Sequence, residues 1–147
     1  MTTDTLTDAE LRDLKALVAE MIPASMTYEV PGADDEAIFA DIVKSLERDT
    51  ADARTSLRLL FELGGGSFAD LDAAHRHEIA ATFKVQGGAA LFALNRVVLL
   101  CYYRDDRVMR SLGQEPRSPF PKGHVVEQGD WSLLDPVKKR APFWRRM

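Results

Sequence analysis

The chain has 147 residues, 46% hydrophobic and 29% charged, with a formal net charge of −4. That is the size and balance of one globular domain with a genuine core, and it excludes a globally disordered or fibrous chain. The charge is unevenly spread: residues 1–116 carry 12 Lys+Arg against 20 Asp+Glu, a formal −8, whereas residues 117–147 carry 7 against 3, a formal +4. Such an acidic body with a basic tail is a common design for partner contact. Cys101 is the only cysteine, so neither an intrachain disulfide nor a thiolate metal site can be built.

Helical periodicity dominates from the start. Thr7-Asp8-Ala9-Glu10 has the capping-box pattern, and Leu11, Leu14, Leu17, Val18, Met21 and Ile22 share one face of the helix that follows, which Pro23 ends. After a Pro31-Gly32 turn, Asp34 or Asp35 is placed to cap a second helix with Ile38, Phe39, Ile42, Val43 and Leu46 inward. A third is predicted from about Thr50, with Ala53, Leu57, Leu60 and Phe61 inward, stopped by Gly64-Gly65-Gly66. Asp72 caps a fourth that sends Ile79 and Phe83 to the core and breaks at Gly87-Gly88.

The fifth helix, from about Ala89 to Tyr103, is apolar almost all round. That pattern predicts the central helix of a bundle, with residues such as Leu99 in the stability core. It ends abruptly in Tyr102-Tyr103-Arg104 and an acidic pair, the profile of a buried helix whose end is a docking surface. A short piece from Asp106 to Leu112 closes at Gly113. Beyond it, Pro116, Pro119, Pro121, Pro136 and Pro142 argue against a regular helix or central strand, although Trp131, Phe143 and Trp144 supply large apolar groups. The expected architecture is therefore all-α: a single bundle of about five helices over residues 1–115, with a Pro-rich, basic, aromatic arm over residues 116–147.

No constellation reads as a catalytic device. The glycine triplet lacks the Lys-Ser/Thr of a phosphate loop and follows a helix. His75 and His77 are two residues apart and point to different sides of a helix, and His124 has no second ligand nearby in sequence. Asp34-Asp35 and Asp105-Asp106 sit at helix starts, where carboxylates stabilise the exposed amides. Asn95 and Arg96 stand out inside the most apolar helix. Arg96 must snorkel, pair with an acid such as Glu62 or Asp41, or meet a partner. No catalytic, cofactor-binding or metal-binding residue is assigned. The partner-binding candidates are Tyr102, Tyr103, Arg104, Trp131, Phe143, Trp144, Arg145 and Arg146, since aromatics and arginines dominate interface hot spots.

Leu6-Thr7-Asp8-Ala9-Glu10, Ile22-Pro23-Ala24, Phe68-Ala69-Asp70-Leu71 and Val98-Leu99-Leu100-Cys101-Tyr102-Tyr103 together resemble the gluconate 2-dehydrogenase small-subunit (subunit 3) family, over roughly residues 5–125. The resemblance implies a helical, non-catalytic subunit that stabilises or matures a large flavoprotein of the glucose-methanol-choline type. FAD and the oxidation of a sugar or alcohol would belong to that partner. Family members often begin with a twin-arginine export signal. The stretch from Met1 to Asp8 has neither that signal nor an apolar leader, so a cytoplasmic location is expected, or a periplasmic one if a leader has been trimmed. No membrane span and no nucleic-acid partner are expected. The alternatives are a free-standing helical ligand binder or enzyme with a pocket near Asn95 and Arg96, and a regulatory module. The latter would bind nucleic acid through Lys138-Lys139-Arg140 and the terminal arginines, against the repulsion of the acidic body.

Overall fold

The computed structural model describes residues 5–118, 120, 122–123 and 125–141. The fold is all-α, and no named strand occurs among the described residues. The chain divides into two units, Met1–Pro116 and Arg117–Met147.

In the first unit, α1 (Asp8–Met21) opens with the predicted capping box. The Thr7 amide donates to the Glu10 carboxylate at 2.7 Å, and the Glu10 amide donates back to the Thr7 hydroxyl at 3.2 Å. Asp35, rather than Asp34, caps α2 (Glu36–Ser45), accepting the amides of Ala37 and Ile38. A 3-10 turn at Glu47–Asp49 leads into α3 (Thr50–Gly64), which stops where Gly65 turns left-handed at φ 67°. A second 3-10 turn, Phe68–Asp70, buries Phe68 and packs on α1. Asp72 then caps α4 (Ala73–Gln86) through the His75 amide. The break at Gly87-Gly88 bends the chain by 114° into α5 (Gly88–Tyr103). Gly88 has φ 54°, a conformation that glycine adopts without a Cβ clash. Asp105 caps α6 (Asp106–Ser111).

The core is one cluster, drawn from α1, α2, α3, α5 and α6 with Phe68 and Phe83 wedged between them. α3 packs against both α5 and α4, and α2 packs against α5. Three expectations change. Phe61 is exposed instead of inward, because the tight seam of α3 runs through Ala53, Ser56, Leu57 and Leu60 and Phe61 falls off its edge. α5 is not buried all round: Leu94, Val97, Val98, Cys101 and Tyr102 face the core, while Phe92, Leu100 and Tyr103 face out. Leu99 lies at the margin, 37% exposed, so its role in the core is partial. No single described helix is long and apolar enough to cross a membrane.

In the second unit, Asp130 caps a 3-10 turn at Trp131–Leu134 through the amide and hydroxyl of Ser132. This turn continues into α7 (Asp135–Lys138). The prolines of this segment do not exclude a short helix: Pro136 sits in the first turn, where its missing N–H costs no hydrogen bond.

Candidate functional site: the outer face of α5

The outer face of α5 follows from a choice between two apolar stripes. The stripe Leu94, Val97, Val98, Cys101, Tyr102 fills the groove offered by α2 and α3. The opposite stripe, Phe92, Arg96, Leu99 and Tyr103, keeps the four–three–four spacing of a helix-packing seam. Phe92 is 72% exposed, Leu100 58% and Tyr103 52%. With Asn95, Leu100 and Arg104 these residues line a shallow groove of about 540 Å³ along the helix. Large apolar groups grouped this way on a water-facing surface mark an interaction site, whereas single exposed ones are ordinary.

The cations around the groove are fixed from behind. Arg96 donates to Asp49 at 2.7 Å; its internal ion pair exists, but with Asp49 rather than Glu62 or Asp41. Arg104 reaches α2, donating from two nitrogens to both Asp41 oxygens at 2.6 Å and to the Ser45 hydroxyl at 2.8 Å. This guanidinium holds the Asp41 carboxyl below its ordinary pKa. Arg107 clamps Asp35 at 2.7 Å and Asp105 at 3.0 Å, tying the start of α6 to the start of α2. The groove thus lies on a helix locked by arginine forks at its C-terminal end, which makes it a preorganised surface.

The residues singled out from sequence fall in different places. Tyr103 and Arg104 do line the groove. Tyr102 does not, and its reading as a docking aromatic is corrected. It is 4% exposed, its hydroxyl donates to the Pro31 carbonyl at 3.1 Å, and its ring meets Tyr103 edge-on at 5.3 Å. Burial also pushes its phenol pKa up. Its work is to anchor the turn at Pro31-Gly32. Trp131 is exposed in the second unit, beside Leu133, Leu134 and Val137. Phe143, Trp144, Arg145 and Arg146 lie outside the described residues, as does His124.

Two features carry too weak a sequence signal to be expected. The first is a tight loop closed by paired backbone bonds between Ser25 and Val30 (3.0 and 3.1 Å), which displays Met26 and Tyr28 to solvent and holds Glu29 at φ 53°. The short apolar–polar alternation between Pro23 and Pro31 is its only sequence signal. The second is a cleft of about 470 Å³ between α1, α4 and α5, floored by Leu17, Met21, Phe83 and Leu91 and rimmed by Glu20, His77 and Asn95. Asn95 therefore borders both concavities. Among the described residues no group of three or more His, Cys, Asp or Glu is gathered as metal ligands. His75 is engaged as a cap partner, its ring 2.6 Å from Asp72, which raises its pKa. Comparison with protein-family models, with curated proteins and with solved structures finds no match to this chain, so the resemblance to the small-subunit family rests on its short motifs.

Proposed function

We propose that the chain is a non-catalytic accessory subunit that docks on a larger protein through the outer face of α5. The observation that carries this reading is a second helix-packing stripe on a helix whose first stripe is already filled, with Phe92 and Leu100 left in water. The motif resemblance supplies the partner class: a large FAD-dependent sugar or alcohol dehydrogenase, which this subunit stabilises or matures. Flavin and chemistry belong to that partner. The exposed Trp131 and its apolar neighbours in the second unit offer a further anchor of the hot-spot type. The test is isolation of the affinity-tagged chain from its native cell under mild conditions. The expected result is a large subunit in fixed stoichiometry carrying flavin. Recovery of the chain alone, or with partners that hold no flavin, overturns the assignment.

A second reading, a ligand-binding protein, is favoured by the cleft between α1, α4 and α5. Its volume falls in the range of small-molecule sites, and its apolar floor with a few polar rim groups has the usual composition. Fragment binding read by NMR shifts at Leu91 and Asn95 would establish it. A screen that moves neither residue would dismiss it.

A further inference from the structure

We infer that the partner segment seated on α5 is itself an α-helix of apolar and acidic character, with two carboxylates seven or eight residues apart. This rests on the docking role of α5 proposed above, but not on the partner being a flavoprotein. The first argument is shape. Phe92, Arg96, Leu99 and Tyr103 repeat at four, three and four residues, the ridge spacing that accepts another helix, over a length of about 17 Å at 1.5 Å per residue. An extended strand would instead seek unpaired backbone donors and acceptors, and the outer face of a helix has none to give.

The second argument is charge. The groove is lined by apolar groups, Asn95 and two arginines, with no carboxylate among its lining residues. Arg96 spends one N–H on Asp49, and its remaining donors take no protein acceptor among the described residues. Arg104 spends Nε and one Nη on Asp41, Ser45 and the Cys101 sulfur, and its other Nη takes no protein acceptor among the described residues. Both guanidinium groups are immobilised by their existing carboxylates, so little side-chain freedom remains to be lost on binding. They stand eight residues, about 12 Å, apart along the axis. A partner helix running alongside meets both with acids at positions i and i+7 or i+8, its leucine- or phenylalanine-sized anchors falling between them on Leu99 and Leu100.

The same charges argue against the other occupants. A second copy would bring Arg96 and Arg104 against their own equivalents, like charges facing across an apolar seam. An anionic bilayer would suit the two arginines, but it would be repelled by a body of 12 basic against 20 acidic residues over positions 1–116.

The test uses the full-length chain as bait for a displayed library of 18-residue amphipathic helices. Their apolar stripe is fixed, and the flanking positions are drawn equally from Asp, Glu, Lys and Arg. The chain with Phe92→Asp and Leu100→Asp serves as the counter-target, and its circular dichroism melt checks that the bundle is intact. The expected winners carry acids seven or eight residues apart. A synthetic winner should bind the wild-type chain at least tenfold more tightly than its charge-reversed twin does, and should lose at least tenfold on the double variant. The twin comparison needs no variant, so the inference stays testable even if the double variant unfolds. Winners without acidic enrichment, equal binding of the twin, unchanged binding to a folded double variant, or no winners at all would overturn it. So would sedimentation showing a wild-type dimer that the double variant dissolves, or phosphatidylglycerol vesicles that bind the chain and displace the peptide. None of these outcomes bears on flavin content in the native complex, so the two proposals fail separately.

Discussion

Three leucines on α5 should report its two faces as a graded series. Leu94 has no exposed surface, Leu99 is 37% exposed and Leu100 is 58% exposed, and each loses the same atoms on replacement by Ala. Leu94→Ala opens a cavity in the core of the bundle, and fully buried leucines lose about 2–5 kcal/mol in such changes. At Leu99 nearly two-thirds of a transfer free energy of about 1.5–3 kcal/mol is at stake, hence about 1–2 kcal/mol. At Leu100 less than half is at stake, and the better helix propensity of Ala returns a few tenths, leaving about 1 kcal/mol or less. Urea titrations of the three variants, followed by circular dichroism with a common slope, read these differences directly. A loss of about 3 kcal/mol at Leu94 corresponds to a fall of roughly 10 °C in Tm for a folding unit of this size. Equal losses at Leu94 and Leu100, or less than about 1 kcal/mol at Leu94, would refute the division of α5 into a buried and an open face.

Other consequences follow from individual contacts. Asp13 is buried on α1 and accepts the Ser67 hydroxyl at 2.6 Å and the Ala69 amide at 2.9 Å. Asp13→Ala strands both donors and should cost about 1–3 kcal/mol in denaturant titration; no measurable loss would mean that the Phe68–Asp70 turn holds without it. Arg107 holds the Asp35 and Asp105 carboxyls below their ordinary pKa, chiefly through its hydrogen bonds to each. The stability from those pairs is present at neutral pH, above the ordinary carboxylate range, and is lost as pH falls through the depressed values. Arg107→Gln should therefore melt below wild type at pH 7 and converge with it at strongly acid pH, and a constant gap would contradict the clamp. Burial raises the Cys101 thiol pKa, so alkylation should be slow in the native chain and rapid in urea. Fast native labelling would place the thiol at the surface.

The parts of the fold written in local chemistry were legible. Capping residues such as Thr7 and Asp72, and the stops at Gly65 and Gly87-Gly88, depend on neighbours within four positions, and they fall where the pattern puts them. The sidedness of α5 was only partly legible, because the helix carries two largely apolar stripes and Arg96 is the one break in the outer of them. Which one is buried depends on where α2 and α3 lie. The same dependence hides the partner of Arg96: its acid, Asp49, sits in a turn between α2 and α3. Tyr102 and Tyr103 are adjacent in sequence, yet a rotation of 100° per residue sends one to the Pro31 carbonyl and the other into the groove. The Met26–Tyr28 tip shows in the sequence only as a short apolar–polar alternation, because its two closing hydrogen bonds run between backbone groups, which leave almost no trace in residue type.

The central claim is that the outer face of α5 holds a large flavoprotein partner, and one measurement tests it most directly. The tagged chain and its Phe92→Asp, Leu100→Asp variant are each isolated from the native cell, and flavin absorbance is read against chain concentration across a sizing column. Wild type should elute as a large complex with flavin in fixed proportion to the chain, whereas the variant, folded by circular dichroism, should elute small and colourless. A folded variant that still carries the flavin-bearing partner, or a wild-type chain that elutes alone and colourless, would contradict the account.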